Sequence, residues 1–136
     1  MKRLAKKFLL TLAITTAILG IPLRGSADDF VVYSVYRPLD LGIPGETPQK
    51  DYFVNMGAAH GLHAGMTLDV LRKVSSYDLI TEKLYRDLTF PIARIKIIHV
   101  EPNAAIARLE KMLPADRTPA ISPRAVMVGD IVRVAQ

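Results

Sequence analysis

The chain has 136 residues, 50% of them hydrophobic, with 18 lysines and arginines against 13 aspartates and glutamates. Five of the basic residues lie within the first 27 positions, which hold no acidic residue, so the rest of the chain carries 13 of each. A segment without net charge gives little support for a nucleic-acid or anionic-membrane partner. The chain has no cysteine, which excludes disulfides and a lipidated cysteine, so apolar burial must hold the fold together.

The N-terminus has the parts of an export signal. Basic residues within the first seven positions precede an almost wholly apolar run over 8–21, and Gly25-Ser26-Ala27 supplies small residues for cleavage. An uncleaved membrane anchor is the alternative, but the run is short for a bilayer span and Pro22 follows it. We expect a signal peptide over 1–27 and a periplasmic chain from Asp28, with no stable membrane span after cleavage.

Beyond the signal, apolar residues mostly recur at every second position, as in half-buried strands. This alternation predicts strands over 30–36, 51–56, 66–74 and 91–100. Leu39 to Lys50 is rich in glycine and proline and is predicted to be a long irregular connection. Residues 75–89 fit neither period, and we favour a hairpin there over a short helix.

Two glycine turns are predicted to shape the backbone. Glycines spaced by four surround Leu62, a spacing that suits positive φ or the close approach of another strand, with Leu62 as an apolar plug. A Gly-Asp pair precedes a short terminal strand, and its aspartate is expected to form a turn rather than to act as a catalytic acid. The predicted turn positions are Gly57, Gly61, Gly65, Gly129 and Asp130.

Together these features resemble a known family. Asn55-Met56-Gly57, then Gly61-Leu62 and Gly65-Met66, and finally Val128-Gly129-Asp130 are similar to the C-terminal β-barrel domain of the flagellar assembly protein T family. The resemblance begins at about Asp51. It implies a mainly β fold, a small antiparallel, partly open SH3-like β-barrel over 51–136, preceded by an N-terminal strand and a Pro/Gly-rich arm over 28–50. The family's role is that of a non-enzymatic periplasmic component of a ring around the flagellar basal body.

The segment from Ala104 to Met112 has conflicting signals. Its residues are good helix formers, yet it follows a turn after a strand, and Ala105, Ala107 and Leu109 can share one face. The resemblance decides our prediction in favour of a strand.

Reactive side chains form no recognisable constellation. His60 and His63 lie in the glycine turn and His99 lies in a later strand, so a metal site is one hypothesis and solvated turn residues are the other. The chain has no Gly-x-Ser-x-Gly motif and no glycine loop that opens a helix. We expect no enzyme, catalytic residue, metal or cofactor, and keep a metal-dependent hydrolase as a third hypothesis on the three histidines alone.

The arm offers candidate interaction residues: Tyr36, Leu39, Leu41 and Ile43. It is too apolar for a purely solvated linker, so it packs either on its own barrel or on a neighbour, and both alternatives stay open. We predict a structural or interaction module that acts by protein-protein assembly, as a homo-oligomer or a ring subunit with basal-body partners. The alternative is a general envelope binding module, associated with the cell wall or an outer-membrane secretion complex.

Overall fold

The computed structural model describes residues 29–136, so the predicted signal peptide over 1–27 and the new N-terminus at Asp28 lie outside the described residues. Six antiparallel strands form one sheet with the order β1-β2-β5-β4-β3-β6, and a 3-10 turn over Ala58–His60 follows β2. The strands are β1 Val32–Tyr36, β2 Asp51–Val54, β3 Thr67–Asp78, β4 Lys83–Val100, β5 Ala105–Met112 and β6 Ile131–Val134. The predicted mainly β, antiparallel fold is confirmed, including the strand over β5.

The sheet curls until its two edge strands meet, but it does not close into a continuous ladder. Val31 and Ile131 form a single bridge. Around it, the Val32 N–H donates to the Asp130 carbonyl at 2.9 Å, and the Gly129 N–H donates to the Val32 carbonyl at 2.8 Å. The result is the partly open barrel that was expected.

The first strand belongs to this barrel. Val32 is fully buried, and β1 pairs with β2 from Val32 opposite Val54 to Tyr36 opposite Asp51. The domain therefore starts about 20 residues earlier than the expected boundary at Asp51, and the arm comprises residues 37–50, which contain no strand.

Alternation along the central strands fills the core. Leu68 and Val70 of β3 face inward, as do Ile95 and Ile97 of β4, with Ala105 and Ala107 of β5 beside them. Successive side chains of a strand point to opposite faces, so this face was readable from the sequence.

Leu109 lies on the same face of β5 but is only partly buried. The register between β4 and β5 shifts because Arg94 pairs with Lys111 while Ile95 pairs with Leu109, which leaves Glu110 as an extra residue. Such a bulge redirects the strand beyond it. Leu109 precedes this bulge and pairs with the buried Ile95, so it keeps the face predicted for it, but it is 43% exposed because β2 pairs with β5 only as far as Arg108.

The predicted glycine turn has both of the expected properties, on different glycines. Gly61 and Gly65 have φ of 85° and 92°, in the left-handed region. Gly57 is extended but touches the turn before β5, since a Cβ there would lie 2.6 Å from the Ala104 nitrogen. Leu62 is buried beneath the turn, as predicted.

We expect side chains at Gly57 and Gly61 to destabilise the fold for different reasons. Gly57→Ala drives a methyl group into the neighbouring backbone and should lower the free energy of unfolding by about 2–3 kcal/mol. Gly61→Val is strained at positive φ and should cost roughly 1–3 kcal/mol, whereas Gly61→Asn, whose residue tolerates that region, should cost less. Urea denaturation measures all three, and a Gly57→Ala variant as stable as the parent would contradict the close approach.

Candidate functional site

The arm holds its apolar side chains away from the barrel. Leu39 is 81% exposed and Leu41 is 72% exposed, and Ile43 is also exposed. Local turns organise the backbone, since the Gly42 N–H donates to Asp40 Oδ1 at 2.9 Å and the Glu46 N–H donates to the Ile43 carbonyl at 3.2 Å. Of the two alternatives for the arm, packing on its own barrel is not the arrangement found.

Tyr36 differs from the other candidate interaction residues. It is the last residue of β1 and pairs with Asp51, so it lies in the sheet and not in the arm. Its side chain is nevertheless exposed and lies next to the start of the arm.

The three histidines have separate surroundings, and His63 is exposed in the glycine turn. His60 closes the glycine turn, because its Nδ1 accepts a hydrogen bond from the Gly57 N–H at 3.0 Å and its ring packs edge-on against Phe30 at 4.6 Å. The His99 Nε2 lies 2.8 Å from Glu101 Oε1 on the surface. Within residues 29–136, no group of three or more histidine, cysteine or acidic side chains is placed to hold a metal ion.

A buried ion pair that the sequence analysis missed joins β3 to the start of β6. The Arg72 Nε donates to Asp130 Oδ1 at 2.6 Å, and a terminal nitrogen donates to Oδ2 at 2.9 Å. Both side chains are nearly inaccessible to solvent. Asp130 also accepts the Met127 N–H at 2.9 Å, so it forms the turn that was predicted and carries a second role besides.

Arg72 also fixes the loop that precedes β6. Its terminal nitrogens donate to the Ala125 carbonyl at 2.6 Å and to the Pro123 carbonyl at 3.2 Å. One guanidinium therefore holds a loop that has no strand partner of its own. A signal for it was present, because Arg72 is in phase with Leu68 and Val70 and so falls on the inward face of β3.

The loop held by Arg72 forms one wall of an open cavity of about 390 Å³, which we call the β5 groove. It exists because β2 begins at Asp51, opposite Arg108, so β5 beyond Arg108 has no neighbour on that side. Its floor and walls are lined mainly by Lys50, Tyr52, Leu109, Met112, Arg124 and Val126.

The β5 groove combines apolar walls with the positive charges of Lys50 and Arg124, and the Arg124 guanidinium donates a hydrogen bond to the Leu113 carbonyl at 2.6 Å. Burial raises the pKa of the Tyr52 hydroxyl, so this wall stays neutral at physiological pH. Arg108 pairs with Asp51 at 2.8 Å. By contrast, none of the ion pairs found in residues 29–136 includes Lys50 or Arg124.

The hairpin of β3 and β4 presents a second apolar surface. β6 pairs with β3 only at Leu68–Leu71, and β5 pairs with β4 only at Ala93–Val100, so residues 72–90 form a two-stranded ribbon beyond the barrel. Leu79 and Ile80 at its end are 83% and 93% exposed. We call residues 78–82 the hairpin tip.

Asp78 organises the hairpin tip. One carboxylate oxygen accepts the Ile80 N–H at 2.9 Å and the Thr81 N–H at 3.3 Å, and the other accepts the Thr81 hydroxyl at 2.5 Å. The Thr81 hydroxyl, followed by the two backbone N–H groups, lowers the pKa of the Asp78 carboxyl below its ordinary value. Asp78 therefore stays ionised at physiological pH.

Comparison of the chain with protein-family models, with curated proteins and with solved structures gives no match. Among residues 29–136, no helix has the length and apolar character needed to cross a bilayer.

Removing Arg72 should be far more damaging than removing an exposed arginine. Arg72→Met leaves the Asp130 carboxylate buried without a counter-ion and should cost roughly 3–5 kcal/mol of unfolding free energy. The matched control is Arg108→Met, which breaks a half-exposed pair and should cost about 0–1 kcal/mol.

Chemical denaturation of both variants measures the difference. The double variant Arg72→Met with Asp130→Asn removes both charges and should be more stable than the sum of the two single losses predicts. Equal losses for Arg72→Met and Arg108→Met would mean that the buried pair does not organise the fold.

Proposed function

We propose that this protein is an exported structural subunit of the bacterial envelope, a component of a flagellar basal-body ring or a similar machine, which acts by protein-protein assembly. The observation that carries the proposal is the exposure of Leu39 and Leu41 on an arm that lies outside the sheet. Aliphatic side chains in such a position expose apolar area to water without supporting the fold, so they fit a surface that a partner covers.

The export features of the N-terminus support a periplasmic location, and we propose cleavage after Ala27. The absence of cysteine is compatible with that oxidising compartment, since no thiol there can be oxidised.

The flagellar assignment rests on the resemblance to the flagellar assembly protein T family. Its glycine motifs coincide with positions where glycine has a geometric role: Gly57 in a close backbone contact and Gly61, Gly65 and Gly129 at positive φ. This coincidence supports a related barrel and is neutral about the machine. The partner experiment must therefore distinguish a flagellar ring from a secretion or cell-wall complex.

The export step predicts a defined N-terminus. Mass spectrometry of the protein recovered from an envelope fraction should give a chain that begins at Asp28, because the small residues Ser26 and Ala27 precede it. A variant with Ala27→Arg should accumulate uncleaved. An intact Met1 on the protein in the envelope fraction would contradict export by this route.

The assembly step predicts a separation of stability from partner binding. Leu39→Ser, Leu41→Ser and Ile43→Ser combined should change the unfolding free energy by less than about 0.5 kcal/mol, because none of the three side chains packs in the core. The same triple variant should lose the envelope proteins that the parent retains after cross-linking and purification.

The control for this variant is Met127→Gln with Val128→Thr, which changes two exposed apolar residues far along the chain. It should retain the partners. Basal-body proteins among them support the flagellar reading, and secretion or wall components support the alternative. A triple variant with unaltered partners would show that the arm is a spacer, and a destabilised one with unaltered partners would show that it covers its own barrel.

A further inference from the structure

We infer that the hairpin tip of one copy of this protein docks in the β5 groove of a second copy. The inference deepens the proposed function, since it names a self-contact within the assembly, but it concerns surfaces other than the arm. It rests on the match in apolarity and in charge between two surfaces that lie on different parts of the same chain.

The hairpin tip is a knob of two aliphatic side chains flanked by acid. Leu79 and Ile80 are almost fully exposed, between Asp78 and Glu82. Within the part of the chain that the structure describes, neither carboxylate belongs to an ion pair, and Lys83 is the nearest base in the sequence. The hydrogen bonds to Asp78 hold the tip in one conformation, which lowers the entropy that docking would cost.

The β5 groove has the complementary properties. Leu109, Met112 and Val126 supply apolar walls, while Lys50 and Arg124 supply positive charge that no described carboxylate neutralises. Pockets of roughly 300–1,000 Å³ accommodate drug-sized ligands. The groove, at about 390 Å³, therefore has room for the two aliphatic side chains of the tip.

The contact must be between copies. The ribbon from Arg72 to Asp78 carries the tip about 20 Å past the end of the barrel's ladder, at ~3.3 Å per residue. None of the residues that line the groove belongs to the hairpin. The tip lies outside the groove of its own chain, so each subunit has one tip and one groove to offer to its neighbours.

A lipid surface is the competing occupant for the tip, and its charge argues against it. Asp78 is held in its ionised form, and Glu82 adds a second negative charge beside the aliphatic pair. Burial of carboxylates in hydrocarbon is costly, and anionic headgroups repel them. A basic, apolar pocket is the environment that suits this tip.

A tip-to-groove contact is heterologous, because the two surfaces that meet are different. Heterologous contacts build rings when the rotation between neighbours closes and open helices when it does not. A closed ring leaves no free tip and no free groove, and an open helix leaves one of each at its two ends.

The test uses the protein expressed as the full chain and purified after processing by the cell. Sedimentation equilibrium should show concentration-dependent association. The tip variant, Leu79→Ser with Ile80→Ser, and the groove variant, Leu109→Gln with Lys50→Glu, should each weaken it at least about tenfold. A control variant, Ile98→Thr with Val134→Thr, changes two exposed apolar residues outside the arm, the hairpin tip and the β5 groove and should associate like the parent.

Mixing the two impaired variants gives the decisive result. The tip variant keeps an intact groove and the groove variant keeps an intact tip, so a mixture should form one-to-one dimers and nothing larger. If apolar tips merely adhere to one another, the groove variant alone will still associate, which overturns the inference.

Charge reversal tests the electrostatic part. Glu82→Lys and Lys50→Glu should each weaken association, and the chain that carries both should recover part of it, because opposite charges face each other again. Thermal denaturation of every variant checks that the barrel stays folded. If the double variant associates no better than the single variants, Glu82 of the tip does not face Lys50 of the groove, and this orientation is overturned.

Two further outcomes separate this inference from the proposed function. A parent protein that stays monomeric at all concentrations, while its arm still retains envelope partners, overturns the self-contact and leaves the proposed function standing. Flotation of the parent, but not the tip variant, with phosphatidylcholine or phosphatidylglycerol vesicles would assign the tip to a lipid surface and overturn the inference.

Discussion

The buried pair of Arg72 and Asp130 is the interaction on which the rest of the structure depends. Removing both charges from water costs several kcal/mol per ion, and the pair offsets this only because nearly all hydrogen-bonding groups of the guanidinium and carboxylate are used. The main effect of the pair is therefore on geometry, because it fixes where the chain between β5 and β6 lies. The protein has no disulfide to do so. Apolar side chains of equal volume could fill the same space, but they would not specify which carbonyl groups lie beside β3.

Backbone contacts without side chains complete the barrel. β1 and β6 meet through a few main-chain hydrogen bonds, and the turn after β2 rests on the turn before β5 because Gly57 has no side chain. A domain of this size buries a limited apolar area, so close approach of backbones lets a small core enclose itself. The strands differ in length, and the unpaired part of each longer strand forms a surface. β3 and β4 extend as the ribbon, while β5 extends past β2 and opens the groove.

The parts of the fold that follow from local pattern were predictable. Alternation at Leu68 and Val70 and at Ile95 and Ile97 specified which face is buried, and the glycine spacing specified the turn around Leu62. The Arg72 to Asp130 pair was not predictable in this way, since it joins residues 58 apart in the chain. Nor was the exposure of Leu109, which results from the point at which β2 stops pairing with β5. The apolar composition of the arm indicated its candidate interaction residues, whereas the exposure of the hairpin tip depends on how far the ribbon projects, which the sequence does not indicate.

The position of Arg72 connects the two surfaces of the proposed self-contact. Arg72 holds the loop that walls the β5 groove, and the ribbon that carries the hairpin tip begins at this same residue on β3. The hairpin tip and one wall of the β5 groove are thus held by one strand, which the core residues Leu68 and Val70 anchor in the barrel. In a heterologous assembly the rotation between neighbours is set by the angle between these two surfaces within each subunit, and only a fixed angle gives a closed ring of constant size. A flexible link between tip and groove would give a mixture of products, and the hydrogen bonds of the buried Arg72 guanidinium limit such flexibility at their junction.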